Sequence, residues 1–238
     1  GRAPLLIYFG LDVKYPRANA RHFAFMIQGL KEVQAGLEER EIEFLVGLGP
    51  PSVGAARLSR HACLVVTDQG YTRVQRTMSG ELASHVSCPL IQVEGNVVVP
   101  VMSASEKEEY SAGTFRPKLT RLLDSFMQEV PEVRPARGRV DLHMKPMELT
   151  EMKDDLGDLE VDRSVPTVAS VKGGEERART VLKRFVAEGL KDYAASRDDP
   201  AVRATSGLSP YLHFGHISPV EVALAAKDED AAGTEAFL

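Results

Sequence analysis

The feature that most constrains this chain is a regular alternation, through residue 130, of short apolar runs with longer amphipathic stretches. Leu5 to Leu11 is the first run and reads as a strand buried on both faces. From Arg21 to Arg40, Phe23, Met26, Ile27, Leu30, Val33 and Leu37 recur three and four positions apart, which is one face of a helix. Phe44 to Val46 and Cys63 to Thr67 are further strand candidates, Thr72 to Val86 a second helix, and Leu90 to Val93 another strand. Strands that alternate with helices pair in parallel, and the helices then cover the sheet faces. The expectation is a doubly wound, Rossmann-like parallel α/β sheet over residues 5–101, within a domain of residues 1–130.

Near residue 130 the pattern changes. Pro131, Pro135, Gly138, Pro146 and Pro166 punctuate a segment of little periodicity, and Met152 to Asp162 adds charge without an apolar face. Residues 131–173 therefore read as an extended connector, draped over the first domain. At Gly174 helical spacing returns. Glu175 and Glu176 suit a helix start, and Ala178, Val181, Leu182, Phe185, Val186, Leu190 and Tyr193 form one stripe. Asp198, Asp199 and Pro200 break it, and Pro219 to Leu238 is again helix-prone. Residues 174–238 are thus expected to be helical without strands. The stripe and the terminal Phe237-Leu238 are expected to remain partly uncovered.

Composition narrows the class. The net charge is −5, so the chain is not basic throughout, although a local basic face for nucleic acid stays open. No stretch has the roughly 18 apolar residues of a membrane helix, and the first run is too short for a secretory core, so an intracellular chain is expected. Cys63 and Cys88 lack CxxC spacing and sit in apolar runs, which suggests buried free thiols. The six histidines are scattered; His213 and His216, three apart, would need a third metal ligand that is not evident. GxGxxG, GxxxxGK[ST], GxSxG and HExxH are all absent.

The segment that stands out is Thr205-Ser206-Gly207-Leu208-Ser209-Pro210-Tyr211-Leu212-His213-Phe214-Gly215-His216-Ile217-Ser218-Pro219. Hydroxyls, a flexible glycine and an early proline make a good helix start, with Ser209 as a candidate cap. Hydroxyls and free amides at such a start also suit a phosphate. This segment resembles the flavin-binding signature of DNA photolyases and cryptochromes. Tyr193, within Asp192-Tyr193-Ala194 and before Arg197-Asp198-Asp199-Pro200, is similar to the family's upstream flavin-contacting tyrosine. Further segments resemble the class II photolyases: Arg21-His22-Phe23-Ala24-Phe25-Met26, Val65-Val66-Thr67-Asp68-Gln69-Gly70-Tyr71, Gln92-Val93-Glu94 with Val98-Val99-Pro100-Val101, Glu108-Glu109-Tyr110, Arg116-Pro117-Lys118 and Asp162-Arg163-Ser164-Val165-Pro166.

The resemblance implies an α/β domain, a connector, and the start of an all-helical FAD-binding domain. It implies that Tyr193, Thr205, Ser206, Gly207, Leu208 and Ser209 contact FAD; Tyr211 and His213 are expected to pack in the core. It implies light-driven repair of cyclobutane pyrimidine dimers in damaged DNA by electron transfer from reduced FAD. An antenna chromophore, deazaflavin or folate, often accompanies it. A monomer in the cytoplasm, beside the nucleoid, or in a nucleus is expected. A cryptochrome-like photoreceptor is the alternative, and a free-standing nucleotide-binding module a third. Against the family pattern, a strand and helix before Leu5 and most of the helical domain beyond Leu238 are missing. Catalytic residues are expected in that missing part, and none is assigned. His216 stands where glutamine is usual.

Overall fold

The computed structural model describes residues 3–133, 135, 147, 149, 152 and 156–238. Gly138, His143 and Pro146 of the expected connector lie outside the described residues. The chain divides into two compact units, Gly1–Val93 with Glu132–Gly174, and Glu94–Pro131 with Glu175–Leu238.

In the first unit, β1 (Leu6–Leu11), α1 (Ala20–Glu39), β2 (Glu43–Leu48), α2 (Pro51–Ser59), β3 (Val65–Asp68), α3 (Arg73–His85) and β4 (Leu90–Val93) alternate as expected, with α2 a helix the spacing had not marked. β1 pairs in parallel with β2, Leu6 opposite Glu43 through Leu11 opposite Leu48, and β3 pairs in parallel with β4. The hydrogen-bonded ladders form two two-stranded sheets where one continuous sheet was expected. Local capping chemistry marks the start of α3. At α3, Gln75 N donates to Thr72 Oγ1 (3.4 Å) while Thr72 N donates to Gln75 Oε1 (3.1 Å), the reciprocal box of a Thr three residues before a Gln.

The core of this unit gathers Leu11, Phe23, Ala24, Ile27, Phe44 and Val46 with Leu149 and Leu156, all buried. The connector therefore contributes core, and backbone bonds dock it: Met147 N donates to Val46 O (3.3 Å) and Ala20 N to Asp162 O (2.7 Å). Burying a leucine is worth about 1.5–3 kcal/mol, which is what fastens an otherwise unpatterned segment. β1 departs from the expectation of burial on both faces, because only Leu11 is fully covered and Leu6 to Gly10 are half-buried. The ladder of β3 and β4 is more open still. Val66, Ile91 and Val93 are 59%, 49% and 48% exposed, since two paired strands leave a face that a continuous, helix-covered sheet would close. The cysteines follow suit: Cys63 is exposed and Cys88 half-buried, because both lie at the open end of this pair, not within it.

The approach of α2 to β1 is set by glycines. A Cβ at Gly10 would lie 2.5 Å from Pro51 Cα, and Cβ atoms at Gly47 and Gly54 would run into the Tyr8 hydroxyl. Burial raises the Tyr8 pKa, with the nearby Arg57 opposing that shift.

The second unit holds α4 (Val101–Ala104), α5 (Ala112–Phe126), α6 (Glu175–Arg184), α7 (Tyr193–Ser196), α8 (Ser209–His213), α9 (Pro219–Glu229) and α10 (Thr234–Phe237). Among the described residues of 174–238 there is no strand. The stripe expected on one continuous helix is instead carried over a break. α6 widens into a π-helical turn at Phe185–Gly189 and tightens at Leu190–Asp192 before α7. Leu190 N donates to Phe185 O, five residues back, which keeps both side chains on the buried face. In an unbroken helix a five-residue step would rotate Leu190 about 140° away from Phe185. Most of the stripe is covered, contrary to expectation, while Val186 and Tyr193 are half-buried and the terminal Leu238 is exposed as expected. Ala178, Val181, Leu182, Phe185 and Leu190 are all buried, and Val186, Tyr193, Ala226, Ala231 and Phe237 pack around Phe185 and Leu190.

Candidate functional site

The loop from Thr205 to Leu208 leads into α8, as its glycine, hydroxyls and proline require. Ala204 and Leu208 before the helix and Tyr211 within it are buried and anchor the turn. Between these anchors Thr205, Gly207 and Ser209 are exposed and Ser206 is half-buried. Gly207 has φ +70°, a left-handed conformation that favours glycine, and a Cβ there would meet only Val181 Cγ1, at 3.9 Å. The constraint is thus conformational and leaves room above the loop. Ser206 Oγ accepts from Leu208 N (3.3 Å), closing a local hydroxyl turn. Ser209 is the first helical residue and does not cap the helix. Leu208 takes the cap position with helical angles and no side-chain bond, because Pro210 next in line fixes the first turn by itself. The Ser209 hydroxyl is therefore not consumed as a cap.

At the far end Gly215, with φ +69°, ends α8, and His216 N donates back to Tyr211 O (2.8 Å). His213 and His216 are consequently not on one helix face. The His213 ring stands exposed against Phe214 (4.8 Å between centroids), where core packing was expected, while Tyr211 is buried as expected. His216 is buried beside Tyr211 and Phe214, and burial alone lowers its pKa from 6.5 to about 4, so the ring is neutral at pH 7.

Tyr193 is held by other partners. Its ring meets Phe185 edge-on at 5.8 Å and Phe237 edge-on at 5.2 Å, and the Arg197 guanidinium lies 5.7 Å from its centroid. Arg197 Nη1 also donates to Ala236 O (2.9 Å), which ties α10 to this cluster. The structure thus gathers Thr205, Ser206, Gly207, Leu208 and Ser209 on one loop and sets Tyr193 in a separate aromatic cluster. Sequence reasoning missed Arg197 and Phe237 as partners of Tyr193. The four-residue spacing to Arg197 was a signal for the first, whereas the second depends on a chain reversal with no local signature. Two open grooves mark this unit, one over α4 and α5 and one between α6 and α9; neither is lined by Tyr193 or the loop. Among the described residues, no three His, Cys, Asp or Glu side chains gather as a metal-binding group. No described helix is long and apolar enough to cross a membrane.

The family model for DNA photolyase matches residues 1–136, more than half of the chain. The chain belongs to the DNA photolyase family. Among relatives of this photolyase-family chain, the deoxyribodipyrimidine photo-lyase of Methanothermobacter thermautotrophicus is 39% identical over 228 residues, which is 95% of this chain and 50% of that protein. The protein of the same name from Potorous tridactylus is 33% identical over 223 residues, 91% of this chain and 41% of that one. The chain therefore spans about half the length, or less, of these relatives. Its fold is similar to the crystal structure of an archaeal photolyase from Sulfolobus tokodaii, described as holding two FAD molecules. The TM-score is 0.70 at 18% identity, over 95% of this chain and 49% of that one. The architecture is thus the Rossmann-like α/β fold of this family with helices following it.

Proposed function

We propose that this photolyase-family chain is part of a class II enzyme that repairs cyclobutane pyrimidine dimers in DNA, driven by light absorbed by FAD. The observation that carries the reading is the 39% identity, along 95% of the chain, to a protein named deoxyribodipyrimidine photo-lyase. The class II assignment rests on the segments from Arg21-His22-Phe23 to Asp162-Arg163-Ser164 set out above.

The residues present fit a flavin nucleotide in kind. A phosphate or ribityl chain needs several hydroxyl and amide donors on an exposed, well-anchored turn, and Thr205, Ser206, Gly207 and Ser209 offer them between buried Ala204 and Tyr211. The left-handed Gly207 leaves its backbone approachable from the open side. In this reading Thr205, Ser206 and Ser209 bind and orient the cofactor, Leu208 holds the loop, and Tyr193 contacts the cofactor from α7. FAD, when bound and reduced, supplies the excited electron that splits the dimer. Damaged DNA is the partner, with the dimer flipped from the stack because the flavin cannot reach it there. Residues 1–130, 131–173 and 174–238 then serve as the α/β domain, the connector and the beginning of the flavin domain.

The test is dimer repair by the whole protein that contains this chain, with reduced FAD, on irradiated thymine-rich oligonucleotide. Loss of dimers only under near-UV or blue light is expected. A flavin-loaded protein that leaves dimers intact in the light would favour the photoreceptor alternative.

A further inference from the structure

The ladder of β3 and β4 sets Val65 opposite Leu90, so positions that differ by 25 face one another. Cys63 and Cys88 differ by the same 25, and each stands two residues before that first pair. The bond nearest to them runs from Val65 N to Pro89 O (3.0 Å). In a parallel ladder the next bond would run from the amide of residue 89 to the carbonyl of Cys63. Pro89 has no N–H to donate, so the ladder stops there. Both cysteines are left on bends at the mouth of the strand pair, Cys63 exposed and Cys88 half-buried.

Neighbouring strands run about 4.8 Å apart, and disulfides join residues whose Cα atoms are about 4.4–6.8 Å apart. Extended two residues past its first pair, the register would set the two Cα atoms in that range. His61 and His85 lie close by in sequence but do not make this a metal centre. His85 Nδ1 is 2.7 Å from Glu81 O and 3.0 Å from Ser84 Oγ, and among the described residues no group of three ligands forms.

We propose that Cys63 and Cys88 are a redox pair that closes to a reversible cross-strand disulfide when the protein meets a low-molecular-weight disulfide. The exposed Cys63 thiolate attacks one sulfur of the small disulfide, forming a mixed disulfide and expelling one thiolate. The Cys88 thiolate then attacks the Cys63 sulfur, forming the internal bond and expelling the second thiolate. The two protein thiols are oxidised, each losing a proton to solvent, and the small disulfide is reduced to two thiols. The bond closes a 25-residue loop that carries all of α3. It removes freedom from the unfolded chain and ties together a ladder of four pairs whose outer face is open. A small thiol reopens it, as expected for an accessible bond.

The 238-residue chain, kept dilute, is incubated with oxidised glutathione, blocked with an alkylating reagent and digested with trypsin. Trypsin leaves Cys63 in the peptide His61–Arg73 and Cys88 in the peptide Thr77–Lys107. The expected product is these two peptides joined, lighter than their sum by two hydrogen atoms and separated again by dithiothreitol. Free thiols per chain fall from two to none, the joined product forms faster in the folded chain than in urea, and the oxidised chain melts at higher temperature. Cys63→Ser and Cys88→Ser each abolish the joined product, leaving the other cysteine bearing glutathione. Separate glutathione adducts on both cysteines of the natural sequence would overturn the proposal. So would joined peptides found only in cross-linked dimers, or equal rates in folded and unfolded chains.

Discussion

His216 is a histidine held neutral by its surroundings, and that has a measurable sign. Its folded-state pKa, about 4, lies below its ordinary 6.5. Between those values the unfolded chain binds the proton and the folded chain does not, so stability rises with pH across that window. As pH falls from 6.5 to about 4, the second unit is expected to lose about 3 kcal/mol from this ring. Below pH 4 both states are protonated and the loss saturates. Glu109, lowered from 4.5 to about 2 by the Lys118 ammonium and the Ser105 hydroxyl, adds its own loss only as pH falls from about 4.5 toward 2, at the acid edge of that window and below it. Thermal melting of His216→Gln should show a flatter acid limb; an unchanged slope would mean that burial of the ring is not its source. Gly54 tests packing at the same scale. Alanine inside α2 would ordinarily gain about 1 kcal/mol in helix propensity. Here its Cβ runs into the Tyr8 hydroxyl, and overpacking costs about 1–3 kcal/mol. Gly54→Ala is therefore expected to lower the melting temperature, with Tyr8→Phe restoring part of the loss. A stabilised Gly54→Ala would show the contact to be soft.

At the scale of elements, the second unit depends on a break that lets two turns meet. The π-helical turn at Phe185–Gly189 and the tight turn after it bring Leu190 O against Gly233, where any Cβ would collide with it. Gly233→Ala should lift α10 away and release Phe237 from Phe185 and Tyr193. The chain has no tryptophan, so near-UV circular dichroism of its tyrosines and phenylalanines reports this loss directly. An unchanged aromatic signal would show α10 held by other contacts. The loop before α8 gives the element-scale test of the proposed cofactor site. In the whole protein, Ser209→Ala removes a hydroxyl that caps nothing in the helix. A hydrogen bond to a charged phosphate is worth about 1.5–3 kcal/mol, so FAD affinity should fall about ten-fold or more while helix content is unchanged. Equal flavin occupancy after gel filtration would remove Ser209 from the site.

At the scale of the molecule, the candidate residues do not make a pocket. Thr205, Gly207 and Ser209 are exposed, and Tyr193 is engaged with Phe185 and Phe237. Affinity for a large nucleotide needs convergent walls that bury most of it, and a single open face loses most of those contacts while still ordering the ligand. The 238-residue chain is therefore expected neither to retain FAD through gel filtration nor to repair dimers in the light. A stoichiometric yellow protein would place the site elsewhere. The apolar stripe is not the source of this deficit, because Ala226, Ala231 and Phe237 already pack against Phe185 and Leu190.

Local chemistry was enough to read the strands, α1, α3, α8 and the polar loop before α8. Each depends on spacing, caps and turn residues within a few positions, such as Thr72 with Gln75 or Gly207 before Ser209-Pro210. The resemblance, too, was carried by contiguous residues. What the sequence did not determine were the outcomes that join distant segments. Leu149 and Leu156 are unremarkable in an aperiodic stretch, yet they complete the core around Phe23 and Phe44. The stripe from Ala178 to Tyr193 looked like one helix, but covering both Phe185 and Leu190 with α9 and α10 required a wider turn. The cysteines looked buried because their neighbours are apolar. The structure shows Cys63 exposed and Cys88 half-buried, and only the parallel register of β3 and β4, ended by a proline without an N–H, suggests pairing them. Spacing fixes which face of an element is apolar, and the tertiary structure decides what that face meets, because the meeting depends on register and chain reversal that no local residue pattern encodes.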